Sequence, residues 1–258
     1  MNRLQGRTAL ITGATAGIGQ ACARALAALE VHLVLVGRRA ERLQALATEL
    51  REAFGVDIYT RALDVRDRDA VMALPTDLVS EGVQVDLLVN NAGKALGLDL
   101  LHEGDLDDWD EMVDTNVKGL LYFSRAFLPG MVERNRGHVV NVGSTAGRWT
   151  YPRGAVYCGT KFSVRGISEG MNMDLAGTRV RVSSVDPGLV ETEFSEVRFH
   201  GDKERAEAVY QGYTPLTAND IADAVVYVAN APEHVDIFNM VILPTDQRHS
   251  MIVHKESG

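Results

Sequence analysis

Residues 8–29 read TALITGATAGIGQACARALAAL, and the order of the three pieces in that stretch decides the fold. Thr8 to Thr12 is a short run of apolar and β-branched residues. Thr12-Gly13-Ala14-Thr15-Ala16-Gly17-Ile18-Gly19 is a glycine-rich turn, and an alanine-rich helical stretch follows it. A strand, a glycine loop and a helix in that order form the context in which a dinucleotide binds. Glycine permits the tight turn and the close approach of a pyrophosphate, whose charge rests on the helix N-terminus. Gly13, Gly17 and Gly19 are spaced more widely than Gly-x-Gly-x-x-Gly, so the placement of the loop carries this reading.

Outward from that stretch the same rhythm repeats. Apolar runs at 31–36 (VHLVLV), 57–65 (DIYTRALDV), 85–90 (VDLLVN), 137–144 (GHVVNVGS) and 179–187 (RVRVSSVDP) alternate with longer helical patterns. Helices are expected from about Val117 to Asn135, around Tyr157, and over 220–230, with a final strand near Ile237 to Leu243. Short, almost continuously apolar runs suit strands buried on both faces. Their alternation with helices predicts an α/β chain, a single-domain Rossmann-type doubly wound parallel sheet flanked by helices. No linker, repeat or low-complexity tract divides residues 1–258.

Composition sets limits on function. With 46% hydrophobic and 24% charged residues the chain has the makeup of an ordinary globular protein. A net charge of −9 argues against nucleic acid or an anionic membrane as partner, and it requires local cations for any anionic substrate. Cys22 and Cys158 supply neither a disulfide framework nor a metal cluster, and Cys158 reads as packing. The N-terminal run MNRLQGRTALITGA lacks an export-signal pattern, and no apolar run approaches a membrane span, so a cytoplasmic location is expected.

Two further stretches carry chemistry. The second strand ends in Gly37-Arg38-Arg39, with no carboxylate where an NAD-binding unit commonly places one. Arginine there suits the 2′-phosphate of NADP; solvated charges at a helix start are the plainer alternative. Residues 144–161 read STAGRWTYPRGAVYCGTK, with Ser144 ahead of a Tyr-x-x-x-Lys pair, Tyr157 and Lys161. On a helix this spacing puts both side chains on one face. A lysine ammonium favours the phenolate, and bringing a tyrosine from about 10 to about 7 takes roughly 4 kcal/mol. An oxidised nicotinamide ring could add to the lysine's share. Alone, such a pair arises by chance in many helices.

Together these residues resemble the short-chain dehydrogenase/reductase superfamily, over roughly Leu4 to Gln247. The Thr12–Gly19 loop resembles its cofactor motif, Asn90-Asn91-Ala92-Gly93 its NNAG motif, and Pro187-Gly188 its PG motif. Asp64-Val65 resembles the pair that meets the adenine. Asn116, Ser144, Tyr157 and Lys161 match the catalytic tetrad in order and spacing. The resemblance implies that Gly13, Thr15, Gly17, Ile18, Gly19, Arg38, Arg39, Asp64, Val65, Asn91, Ala92, Gly93, Tyr157, Lys161, Pro187, Gly188, Val190 and Thr192 bind the cofactor. It implies Tyr157 as general acid/base, Ser144 on the substrate oxygen, Lys161 on the nicotinamide ribose and Asn116 in a water relay. It also implies a substrate lid near 190–213, a C-terminal tail over 244–258, and a homotetramer formed through helices and the last strand.

A narrower likeness joins GRRAERL, VDTNVKGLLY, the segment from Pro187 and the PTDQ of 244–247 to NADP-dependent 3-hydroxy acid dehydrogenases, a group containing serine dehydrogenases and semialdehyde reductases. Arg153 departs from it, standing where these relatives usually carry a small residue. The likeness implies a small anionic hydroxy-acid or semialdehyde substrate, met by Ser144, Tyr157 and the arginines Arg148 and Arg153. Lys94, Arg198 and Arg248-His249 are weaker candidates for the anion. No metal is expected. Alternatives are a 3-oxoacyl carrier-protein reductase, which would need a basic docking face, a sulfoacetaldehyde reductase, and a non-catalytic NADP-binding sensor, which would usually lack part of the tetrad.

Overall fold

Successive residues of a strand point to opposite faces, and here both faces are covered by helices. In a computed structural model, which describes residues 2–255, seven strands form one sheet. They are β1 (Thr8–Thr12), β2 (His32–Gly37), β3 (Ile58–Ala62), β4 (Leu87–Asn90), β5 (Gly137–Val142), β6 (Val180–Pro187) and β7 (Asn239–Ile242). Their spatial order is β3-β2-β1-β4-β5-β6-β7, and every neighbouring pair is parallel. The chain is therefore the doubly wound α/β fold that its strand–helix rhythm predicts.

Alternation along the strands feeds two cores. Ala9, Ile11, Leu33 and Leu35 pack under α1 (Gly17–Ala27), α2 (Ala40–Phe54) and α9 (Ala218–Ala229). Leu10, Val34 and Val36 face the other way, under α3 (Arg68–Ser80), α5 (Leu120–Glu133) and α6 (Ala155–Asp174). The remaining helices are α4 (Leu106–Val113), α7 (Phe194–Arg198) and α8 (Lys203–Ala208).

Three features depart from the sequence reading. The helix expected from Val117 begins eleven residues earlier, because the Asp105 side chain accepts the backbone N–H groups of Asp107 and Asp108 and caps α4. A π-helical turn, Asp114–Gly119, then joins α4 to α5. The acidic run over this start hides the apolar period. The last strand, β7, is a sheet edge paired only with β6 among the described residues, and Val241 is 38% exposed. Burial of that apolar run is therefore incomplete within one chain. Finally, the segment after residue 244 forms an antiparallel hairpin, β8 (Gln247–His249) with β9 (Ile252–Val253), and His249 stacks on Trp149 with ring centroids 4.6 Å apart. Residues 256–258 of the expected tail lie outside the described residues.

The contact between α1 and the end of β1 leaves no room for a side chain. A Cβ on Gly19 would lie 2.4 Å from the Gly13 carbonyl oxygen and 2.5 Å from Asn91 Nδ2. Overpacking of this kind costs about 1–3 kcal/mol. Gly19→Ala is expected to lower the unfolding free energy by that amount and to weaken cofactor binding; unchanged denaturation and cofactor affinity would show that α1 can slide.

Candidate active site

The chain winds one way from β1 and the other way from β4, so the C-terminal ends of these two neighbours open a crevice, the usual ligand position in open α/β sheets. Asn91 holds the crevice at its root. Its backbone N–H donates to Thr12 Oγ1 at 3.0 Å, and its Nδ2 donates to the carbonyls of Thr12 at 2.9 Å and Gly13 at 3.3 Å. Ala92 N also donates to Thr12 Oγ1, at 2.9 Å. From here a cleft of about 680 Å³ runs from Arg38 and Asp64 past the glycine loop to Tyr157, Lys161 and Arg198.

One arm fits a dinucleotide phosphate. The first residues of α1 have no side-chain cap and no acidic residue in the first turn, which leaves the helix N-terminus to an anion. Gly13 and Gly17 adopt left-handed backbone angles, φ +67° and +50°, that favour glycine. Thr15, Ile18, Ala92, Gly93, Pro187, Gly188, Val190 and Thr192 line the same cleft. A Cβ on Gly188 would stand 2.2 Å from Gln247 Oε1, the acceptor for Leu189 N, so a larger residue there would displace that side chain and its bond. At the far end, Arg38 lines the cleft, while Arg39 donates from Nε and Nη2 to Thr15 Oγ1 at 3.1 and 2.8 Å. Asp64 is paired with Arg66, Nη2 to Oδ2 at 2.7 Å, and Val65 packs where a Gly119 side chain would collide.

The other arm gathers the four residues picked out by pattern. Ser144 follows β5, while Tyr157 and Lys161 sit one turn apart on α6, both buried. Lys161 Nζ donates to Val142 O at 2.9 Å. Asn116, in the π-helical turn, is committed by its side chain: Nδ2 donates to Lys94 O at 2.8 Å and to Thr160 Oγ1 at 3.0 Å, while Oδ1 accepts from Lys94 N at 2.8 Å. A Cβ on Gly93 would lie 3.3 Å from Asn116 Oδ1 and 3.6 Å from Lys161 Nζ, so glycine keeps the space between them open.

Burial, rather than Lys161, governs Tyr157. Desolvation pushes its phenol above the usual tyrosine range and Tyr151 adds to this, while a hydrogen bond with Ser144 and the Arg198 charge pull back less strongly. The lysine expected to lower it is itself driven down to about 8 by burial, against an opposing pull from Asp186. Tyr157 therefore stays protonated near neutrality, the form a proton donor needs.

The candidate substrate cations are redistributed. Arg148 donates from Nε to Asp186 Oδ2 at 3.1 Å and from Nη2 to Asn239 Oδ1, so it serves a buried carboxylate behind the cleft. Arg153 is exposed at a left-handed turn, φ +65°, and lines not the main cleft but a small adjoining pocket of about 20 Å³ that it shares with Tyr157 and Arg198. Lys94 is paired with Glu111, and Arg248 is exposed. Arg198 is the cation brought to the site. Its guanidinium lies 5.7 Å from the Tyr157 ring centroid and 5.4 Å from that of Tyr151, and its Nε donates to Gly97 O at 3.2 Å.

Comparison with known proteins agrees with this geometry. Residues 7–203 match the short chain dehydrogenase family. The chain belongs to the short-chain dehydrogenases. An NADP-dependent 3-hydroxy acid dehydrogenase of Salmonella typhi is 49% identical over 248 residues, 95% of this chain and 98% of that protein. Another from Schizosaccharomyces pombe is 40% identical over the whole of both chains. Among solved structures, the closed form of a serine dehydrogenase complexed with NADP⁺ superposes with a TM-score of 0.89 at 46% identity, over 96% of this chain and all of that one.

Sequence reasoning did not single out Tyr151, Glu193, Phe194 and Met251, all of which line the cleft, although the expected lid over 190–213 and tail over 244–258 contain the last three. Phe194 meets Tyr157 edge to face at 5.7 Å. Their only local signal is nearness to recognised motifs; what brings them in is the return of distant segments over the sheet.

The buried Lys161 makes stability depend on pH in a definite direction. In the unfolded chain it keeps its proton to about 10.4, but in the folded protein only to about 8. Between those values the unfolded state binds more protons, so this group's contribution to stability rises with pH, and below about 8 the buried ammonium costs up to about 3 kcal/mol. Lys161→Met is expected to stabilise the fold by up to that amount at neutral pH, with the gain vanishing as pH approaches 10.4. Urea unfolding of both proteins across this window checks it; a gain independent of pH would show that some other effect is responsible.

Proposed function

We propose that the protein is an NADP(H)-dependent dehydrogenase interconverting a short 3-hydroxy acid, or a similar anionic hydroxy compound, with its carbonyl form. The observation that carries the substrate class is Arg198, a cation held against the rings of Tyr157 and Tyr151 at the substrate end of the cleft. Guanidinium is suited to a carboxylate or sulfonate because its planar fork matches two oxygens. In a chain of net charge −9 such a group must come from a local cation. The 3-hydroxy acid dehydrogenases and the serine dehydrogenase that this chain resembles support the same class.

When bound, the nicotinamide cofactor supplies or accepts the hydride. Arg38 stands at the end of β2 for a 2′-phosphate, with Arg39 beside it bonded to Thr15 and Glu193, and the uncapped start of α1 receives the pyrophosphate. Tyr157 gives its proton to the carbonyl oxygen in the reducing direction. Ser144 donates to the same oxygen and offsets the charge that develops on it. Lys161 lies beside Tyr157, and the gap bounded by Gly93, Asn116 and Lys161 is the path by which a water replaces the proton. Residues near 190–213 act as a lid on the substrate.

We also assign the protein to a reducing cytoplasm and a homotetramer. Both cysteines are free and buried, and no helix among the described residues is long and apolar enough to cross a membrane. Phe162 and Met173 on α6 are 41% and 65% exposed, and the β7 edge is incompletely covered, which suits contacts with further copies. The mass measured by light scattering at micromolar concentration is expected to be four chains; a monomer would overturn the assembly.

Arg198→Ala tests the substrate class. A charged hydrogen bond is worth about 1.5–3 kcal/mol, or roughly tenfold to a hundredfold. KM for a 3-hydroxy acid is expected to rise by that factor while KM for its methyl ester changes little. An equal rise for both would remove Arg198 as the anion site, and a wild-type preference for the ester would remove the hydroxy-acid reading.

A further inference from the structure

The segment that covers the cleft is fastened at two places of different chemistry. Near the substrate, α7 ends at Arg198, whose carbonyl accepts from Gly97 N at 3.0 Å and whose Nε donates back to Gly97 O at 3.2 Å. Near the cofactor, the fastening is ionic. Thr192 packs on the glycine loop, for a Cβ on Gly17 would lie 3.3 Å from Thr192 Cβ. The next residue, Glu193, reaches to the start of α2, where its two oxygens accept separately from Arg39 Nη1 at 3.1 Å and Arg42 Nη1 at 2.9 Å. Arg39 is the N-cap residue of α2 and Arg42 belongs to its first turn. Arg39 is also joined to the glycine loop through Thr15. Thr192 and the Glu193 side chain thus link the glycine loop to α2 along the arm of the cleft that fits a dinucleotide.

We propose that Glu193 is a latch: through Arg39 and Arg42 it holds the covering segment down and sets how slowly the nicotinamide dinucleotide leaves. Arg42 lies outside the cofactor motif, and its place here follows from the ion pair alone. Arg38 lines the cleft and takes no part in these two bonds, so a guanidinium stays available to a phosphate while the latch is shut. The three side chains are about half exposed, Glu193 47%, Arg39 43% and Arg42 51%. Such pairs are individually weak and sensitive to salt. That suits a fastening that must open in every turnover.

The competing reading of the same contacts is that Glu193 occupies the arginines as a substitute anion and must be displaced by the 2′-phosphate. The two readings predict opposite changes. Dissociation can be followed by stopped-flow displacement of NADPH and of NADH, reading the fluorescence of the reduced nicotinamide. For a latch, Glu193→Gln speeds dissociation of both cofactors about threefold to tenfold. Arg42→Gln, which leaves the Arg39 bond in place, gives a smaller acceleration for NADH, which carries no 2′-phosphate, and the double variant is no faster than Glu193→Gln. Unchanged dissociation in Glu193→Gln overturns the proposal. So does slower release, or an effect confined to NADPH, since either marks Glu193 as a competitor for the phosphate site. Circular dichroism of each variant separates loss of the latch from loss of the fold, and Arg42→Gln keeps the test decisive if Glu193→Gln folds poorly, since unchanged NADH release in it also overturns the proposal.

Discussion

The seam between the ends of β1 and β4 is the constraint on which the rest of the molecule depends. Asn91 and Ala92 bond to the Thr12 hydroxyl and to the carbonyls of Thr12 and Gly13, so two strands whose connections diverge are kept in register to their last residues. Backbones this close exclude side chains, which is why Gly13 and Gly19 are glycines: a Cβ on either would lie within 3.0 Å of an atom of the seam. The same seam aims the uncapped N-terminus of α1 into the crevice. Position, shape and polarity of the cleft are thus consequences of one cluster of hydrogen bonds.

Electrostatics inside the site follow from burial more than from pairing. Lys161 and Tyr157 share a helix face but are both desolvated, and their proton affinities move toward the neutral forms. Behind them Asp186 is buried, yet accepts from Arg148, Asn239 and Ser184. A buried carboxylate left without such partners would be strongly destabilising, and this need explains why Arg148 is turned away from the cleft. Asp186 in turn is the charge that limits how far Lys161 falls. An arginine that looks like a substrate ligand in the sequence is thereby part of the support beneath Tyr157 and Lys161.

The covering segment shows how a strongly acidic chain places its cations. Arg39 and Arg42 meet at Glu193, Lys94 and Arg66 meet at Glu111, and Arg148 answers Asp186. Arg198 differs because its guanidinium rests over aromatic rings and a carbonyl rather than on a carboxylate. Its charge is not paired with a carboxylate among the described residues, whereas the other cations are neutralised within the protein.

Local order in the sequence was enough for the architecture and for most residues of the candidate site. Strand–helix alternation and the glycine loop determined the doubly wound sheet, and the Tyr-x-x-x-Lys spacing placed Tyr157 and Lys161 together, because helix period and strand pleat act over a few residues. The start of α4 was less legible, since an Asp105 cap leaves little apolar pattern. Which arginine faces the cleft was decided only by the tertiary structure. Arg148 finds its partner 38 residues away and Glu193 finds Arg39 at a separation of 154. Such pairings depend on where the sheet returns distant segments, and no local spacing encodes which cation meets a buried carboxylate and which rests over aromatic rings in the cleft.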